Sequence, residues 1–314
     1  MIINTGGRTD IPAYFSEWFY NRIKEGFVLV RNPYYSEQIL KYRLSSDVVD
    51  IICFCTKNPE PMIERLEEIK QFSQFWFVTI TPYGKEIEPY VPDKNRVIHS
   101  FQKLSDKVGR KVVHWRYDPI FITEKYSVDY HIQSFRKMAE KLEGYTNQCV
   151  VSFIDLYEKT KRNFPQIKEV TKLEQEILVQ SFVKIGKRYN IEIRLCCEDK
   201  GLGSLGANTS GCMTKEVLES TVEFRLAVPK NKYSARTQCN CMLGSDIGMY
   251  NTCGHGCIYC YANYDRKNVL NNMRLHNLES PLLIGTCNKG DKITEVQQVL
   301  YRDNQMSLFD LDII

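Results

Sequence analysis

The sequence has no apolar run of 18 or more residues, so no transmembrane helix is expected. Its opening, MIINTGGRTD, lacks the basic stretch and apolar core of a signal peptide, and a cytoplasmic location is expected. There is no internal repeat, low-complexity tract or Pro/Gly-rich linker, which speaks against solenoids and tethered arrays. Charge of one sign is scarce: 42 Lys and Arg against 38 Asp and Glu leave +4, which permits nucleic-acid binding without pointing to it. Hydrophobic content of 43% and charged content of 25% are ordinary for a globular chain of 314 residues, a length common for one α/β barrel. What the chain does have is cysteine, 12 in all. In a reducing compartment that many thiols argue for metal or redox chemistry rather than disulfides.

Short apolar segments rich in β-branched and aromatic residues alternate with amphipathic ones. Strands are expected at Val48–Cys55, Phe75–Thr81, Lys111–Tyr117, Gln148–Ile154 and Ile191–Cys197, with a weaker one at Ser245–Asn251. Between them, Pro59–Lys70, Lys94–Val108, Val128–Leu142 and Leu173–Tyr189 carry apolar residues at helical spacing. This alternation predicts a parallel sheet covered by helices, an α/β fold of the partial or full TIM-like (β/α) barrel type. Polar runs follow the strands: Arg8-Thr9-Asp10, Thr56-Lys57-Asn58, Thr79 and Thr81, Arg116 with Asp118, Ser152 with Asp155, and Cys197-Glu198-Asp199. In such a fold, the site is expected where these runs gather, at the C-terminal ends of the strands.

The densest signal is Cys253-Gly-His-Gly-Cys257-Ile-Tyr-Cys260, a C-x3-C-x2-C loop with Tyr259 before its last thiol. Three thiolates this close can hold three irons of a [4Fe-4S] cube and leave the fourth open to a small molecule. A structural zinc knuckle is the alternative.

This loop resembles the cluster loop of the radical S-adenosylmethionine (SAM) superfamily. That resemblance implies a [4Fe-4S] cluster on Cys253, Cys257 and Cys260, with Tyr259 packed beside it, and reductive cleavage of SAM to a 5′-deoxyadenosyl radical. The superfamily places this loop after the first barrel strand, whereas here it comes last, so a circularly permuted barrel is expected. Thr56-Lys57, Thr81, Glu88-Pro89, Pro92 and Arg116-Tyr117-Asp118-Pro119-Ile120 are similar to the spore photoproduct lyase-like branch. By that likeness Lys57 contacts the SAM carboxylate, with Thr81 and Arg116 as further SAM or substrate contacts. A structural ion pair is the other reading of Arg116 with Asp118. Cys55 would be the thiol that donates hydrogen to a product radical, core packing being the alternative. The ends of the chain, Arg8-Thr9-Asp10-Ile11-Pro12 and Tyr250-Asn251-Thr252-Cys253 to Cys260-Tyr261-Ala262-Asn263, also resemble an uncharacterised bacterial domain-of-unknown-function family.

A second metal site, either another [4Fe-4S] cluster or a tetrahedral zinc, is expected from Cys197, Cys212, Cys239 and Cys241. Cys196 is the alternate to Cys197, because neighbouring strand residues face opposite sides. Buried, inert thiols are the competing reading. Residues 1–265 are read as one barrel domain, with the cysteine-rich segment at 239–263, and 266–314 as an extension. Within it, Gln305-Met306-Ser307-Leu308-Phe309 resembles the peptide by which bacterial repair proteins dock on the sliding clamp. The function expected is a radical SAM enzyme acting on nucleic acid, a lyase-like DNA repair activity fed by an external donor such as flavodoxin or ferredoxin. Lys85, Lys161 and Arg162 are candidate phosphate contacts. The alternatives are radical SAM chemistry on a small molecule, peptide or RNA, or a non-enzymatic zinc or iron–sulfur protein.

Overall fold

The computed structural model describes residues 1–228, 239–242 and 244–303. In chain order the elements begin with β1 (Ile2–Asn4), α1 (Ile11–Tyr14), α2 (Ser16–Glu25), β2 (Phe27–Arg31), β3 (Gln38–Arg43), β4 (Ile51–Thr56) and α3 (Glu60–Ile63). They continue with β5 (Ser73–Thr79), α4 (Lys94–Val108), β6 (Val113–Ile120), α5 (Val128–Leu142), β7 (Gln148–Phe153), α6 (Glu158–Asn163), α7 (Lys172–Arg188) and β8 (Glu192–Leu195). The last are α8 (Lys215–Val222), β9 (Ser245–Asp246), α9 (Arg266–Arg274) and β10 (Lys292–Glu295).

Seven strands form a parallel sheet in the order β8-β7-β6-β5-β4-β1-β9. From β1 to β8 each new strand is added on the same side, as right-handed βα units require. The short β9, last of the seven in sequence, joins β1 at the opposite edge. The sheet is open among the described residues, because no pairing links β8 to β9. A closed barrel is therefore absent there. The hairpin β2–β3 and β10 make a second, three-stranded sheet where no strand is expected from the sequence.

Both faces of the large sheet are buried, which is why its strands read as near-continuous apolar runs rather than alternating ones. Alternation still sorts the side chains. Ile52, Phe54, Trp76, Val78, Trp115 and Tyr117 face outward and pack with Trp18, Phe19, Phe101, Phe135 and Phe182 from the helical layer. Rings stack through this layer, with Phe54 on Trp76 at 4.0 Å and Phe135 on Phe182 at 4.0 Å. Ile51, Cys53, Phe75 and Phe77 face inward, where Met213, Val217, Leu218 and Met242 cover them. The inner face is thus plugged by the chain at residues 212–228 and 239–242.

Helix ends are defined locally. Asp93, Ser127 and Thr171 cap α4, α5 and α7 through their side chains, and Thr171 with Glu174 forms a capping box. No helix among the described residues is long and apolar enough to cross a membrane.

Candidate functional site

The loops leaving the C-terminal ends of the parallel strands meet over the sheet, the position such folds use for ligands. Asp10 fastens three of them. Its Oδ1 accepts the Ala13 N–H at 3.1 Å and caps α1. Its Oδ2 accepts the Lys57 backbone N–H at 2.8 Å and lies 2.8 Å from His255 Nε2. His255 sits between Cys253 and Cys257, and its Nδ1 lies 3.1 Å from the Tyr14 hydroxyl. The cysteine loop is therefore tied to the loops after β1 and β4 through one buried carboxylate. Two close approaches support this junction. A Cβ on Gly6 would stand 2.2 Å from the Cys55 carbonyl oxygen, and one on Gly254 would stand 2.6 Å from the Tyr14 ring.

Glu88 is the second node. It is 1% exposed, and its Oε1 accepts from Lys57 Nζ at 2.9 Å and from Thr81 Oγ1 at 2.8 Å. The Tyr259 hydroxyl also donates to Oε1, and Lys94 Nζ donates to Oε2. Burial opposes ionisation here, but the Lys57 and Lys94 ammonium groups outweigh it and hold the carboxyl well below the usual range. Lys57 loses by burial but gains more from Glu88 and is raised, whereas burial dominates at Lys94 and lowers it. Two ammonium groups against one carboxylate leave this cluster a net +1 (2 − 1). Lys57 Nζ also lies 5.6 Å from the centre of the Tyr259 ring. So Lys57, Thr81 and Tyr259, three separate expectations from the sequence, converge on Glu88, which the sequence marks only as part of Glu88-Pro89. Glu88 lies in a loop with no periodicity of its own, which is why pattern reading gives it no role.

Arg116 and Asp118 lie on the inner face of β6. Arg116 Nε donates to Asp118 Oδ2 at 3.0 Å, Ser152 Oγ reaches the same oxygen at 3.3 Å, and the guanidinium lies 4.9 Å from the Phe77 ring centre. Arg116 Nη1 is 4.0 Å from Cys212 Sγ. Cys55 faces inward on β4, and burial pushes its thiol up to about 11 with Arg116 acting in the opposite sense. Cys53 and Cys149 are core thiols.

The three loop cysteines are half-buried. Burial raises all three thiols, Cys257 to about 12, so without a metal they stay protonated. Nearby, Asn263 Oδ1 is buried without a hydrogen-bond partner among the described residues, while Asn263 Nδ2 donates to the Cys253 carbonyl at 2.8 Å. Three soft donors on one short loop, with a polar atom left over beside them, fit a thiolate-bound metal group.

The second cysteine group differs from expectation. Cys196, Cys212 and Cys241 place their sulfurs within 4.8 Å of one another. Cys196 takes the place expected of Cys197. Arg194 and Cys196 share the inward parity of β8, Ile193 and Leu195 pack outward, and at Cys197 the chain turns with φ +61°. Cys239 stands beside the set rather than in it, its sulfur accepting the Cys241 N–H at 3.4 Å.

Glu198 closes the mouth on the β8 side. Its carboxylate accepts the Phe153 N–H at 2.8 Å, and burial pushes its pKa up to about 8, helped by Asp155, Cys196 and Asp118. Between the unfolded value near 4.3 and about 8 the folded chain keeps a proton that the unfolded chain has lost, so stability falls as pH rises through that window. Glu198→Gln should flatten this dependence. From pH 5 to 8 the parent should lose about 1–2 kcal/mol more than the variant, after allowance for solvent contact, in urea midpoints. Equal slopes would mean that Glu198 is already ionised at neutral pH.

Of the candidate phosphate contacts, Lys85 donates to the Val91 carbonyl, Lys161 pairs with Glu158 at 3.1 Å, and Arg162 donates to the Tyr264 carbonyl and stacks on its ring. The segment 305–309 lies outside the described residues.

No curated protein matches this sequence. Among solved structures, a Bacteroides thetaiotaomicron protein assigned as an α-L-fucosidase is similar at 12% identity and a TM-score of 0.29. The match covers 52% of this chain and 50% of that one, about half its length. A family model described as "Domain of unknown function (DUF1848)" matches residues 2–262, and the chain belongs to that family.

Proposed function

We propose that the protein is a radical SAM enzyme that uses a [4Fe-4S] cluster on Cys253, Cys257 and Cys260. One observation carries the reading. The C-x3-C-x2-C loop leaves β9 at the C-terminal side of the parallel sheet and is held there against Lys57, Glu88 and Asp10. β9 is the last strand of the large sheet in sequence but lies beside β1, which supports a circularly permuted partial barrel. Bound, the cluster would supply the electron for reductive cleavage of SAM to a 5′-deoxyadenosyl radical.

The chain's own residues suit the remaining tasks. Lys57, in a cluster of net positive charge, would hold the SAM carboxylate. The Tyr259 ring lies against Tyr83 and Phe121 at about 6 Å and helps exclude water beside the loop. Thr81 holds Glu88 in place. Arg116 and Asp118 present a fixed pair of charges to a substrate. Cys55 keeps its proton, and a neutral thiol is the form that can give a hydrogen atom to a product radical.

A nucleic-acid substrate and a lyase-like repair reaction are the favoured form of this activity. They rest on the motifs around Lys57, Thr81 and Arg116 and on the clamp-like tail at Gln305–Phe309. Flavodoxin or ferredoxin would be the reductant.

The test is anaerobic reconstitution with iron and sulfide, then dithionite and SAM, with 5′-deoxyadenosine measured by chromatography. The parent should form it. Cys253→Ala, Cys257→Ala and Cys260→Ala should each lower its yield by at least about 10³-fold, because the cofactor carries the chemistry. A reconstituted parent that forms none would sink the reading.

A further inference from the structure

We infer that Cys196, Cys212 and Cys241 hold a single zinc ion that fastens the chain leaving one edge of the open sheet to the chain entering the other. This site is separate from the Cys253–Cys260 loop and does not depend on the radical reading.

The spacing selects the metal. Cys196 Sγ lies 3.3 Å from Cys212 Sγ, and Cys212 Sγ lies 3.5 Å from Cys241 Sγ. Two sulfurs on one tetrahedral zinc, each at about 2.3 Å, stand about 3.8 Å apart. The thiolates of an iron–sulfur cube each bind a different iron and must stand farther apart than ligands of one ion. The trio therefore suits a mononuclear ion, and soft thiolates with no oxygen donor among them favour zinc.

The surroundings are those of a metal-bound thiolate group. The Met213 N–H donates to Cys241 Sγ at 3.3 Å, and the Cys241 N–H is itself held by Cys239 Sγ. Three thiolates on a divalent ion carry a net −1 (2 − 3), and the guanidinium of Arg116, shared with Asp118, approaches Cys212 Sγ to 4.0 Å. The same Arg116 pairs with Asp118 at the mouth. An ion here would therefore also fix the position of that pair.

The topology gives the ion its task. Cys196 directly follows β8, one edge of the sheet, and Cys241 lies four residues before β9, the other edge. No backbone ladder joins these edges among the described residues. Cys212 belongs to the chain that plugs the inner face. One ion would join all three segments without strand pairing, and its binding free energy would add to that of folding.

The test counts metal in the full chain carrying Cys253→Ala, Cys257→Ala and Cys260→Ala together, so that the other loop contributes none. Purified aerobically from zinc-supplied cells, it should hold about one zinc per chain, with sulfur neighbours at about 2.3 Å by zinc X-ray absorption and no iron neighbour. Adding Cys212→Ser should lower zinc at least about tenfold. Because that variant could fail to fold, thiols of the background protein are also titrated with a mercurial reagent. Zinc should be released in step with them, as read by a chromogenic chelator. Zinc below about 0.1 per chain in that background overturns the proposal, as does zinc retained by Cys212→Ser or an iron–sulfur spectrum there. A Cys196–Cys212 disulfide in unreduced peptides would overturn it as well.

Discussion

Glu88→Leu should lower stability by about 2–4 kcal/mol, because it leaves the Lys57 and Lys94 ammonium groups largely buried without their shared carboxylate. It also removes the acceptor for Thr81 and Tyr259. For a chain of this size that is a fall of roughly 3–6 °C in melting temperature. Most of the loss is the cost of stranded charges rather than the net worth of the pair. Adding Lys94→Met should therefore recover part of it, whereas independent effects would simply add. The pH dependence has a fixed sign. The Glu88 carboxyl is depressed in the folded state, so its contribution is complete above the unfolded value near 4.3 and is lost as pH falls toward the folded one. The parent should lose this increment below about pH 4, and Glu88→Leu should not. Urea midpoints at pH 3.5 and 7 read both effects. A Glu88→Leu change below about 1 kcal/mol would show that the cluster is solvated and that Glu88 is not a node.

Asp10→Ala should cost about 2–4 kcal/mol and loosen the cysteine loop. One carboxylate caps α1, holds the Lys57 amide and receives His255. Loss of a cap alone costs about 1 kcal/mol, and the stranded Lys57 N–H and His255 ring add to it. The second readout is specific to position. Because His255 lies between Cys253 and Cys257, iron retained after reconstitution should fall at least about threefold at a temperature where the variant is still folded. A cap without that link would lower the midpoint and leave iron unchanged. Unaltered stability and iron content together would refute the junction at Asp10.

The helices show where sequence periodicity is sufficient. Lys94–Val108 and Val128–Leu142 fold over the residues that their apolar spacing marks, and Lys172–Arg188 departs from Leu173–Tyr189 by one residue at each end. Their capping residues, Asp93, Ser127 and Thr171, are adjacent in sequence to what they cap, so a local rule finds them. The segment Pro59–Lys70 does less well. It breaks into α3 and a 3₁₀ turn at Leu66–Ile69, because each piece is short and held by packing rather than by its own ladder. The hairpin β2–β3 carries apolar runs that could mark it. Its pairing with β10, however, joins residues near 40 to residues near 293, and no local pattern contains that contact.

The sequence alone determined the βα alternation, the two-residue parity along each strand, and the local spacing of Cys253, Cys257 and Cys260. Each follows from periods of 2 or 3.6 residues or from a single loop. That Cys55 and Arg116 take the inner parity needed the fold, because both sheet faces are buried. Parity also contains the choice of Cys196 over Cys197, once Ile193 and Leu195 are known to pack outward. Only the tertiary structure decided that Lys57, Thr81, Lys94 and Tyr259 share Glu88, that Asp10 meets His255, and that Cys196, Cys212 and Cys241 converge. Most of these contacts span tens to hundreds of residues. They depend on strand order and register, and above all on β9 closing against β1 instead of β8, which is set by packing of the whole sheet rather than by any local propensity.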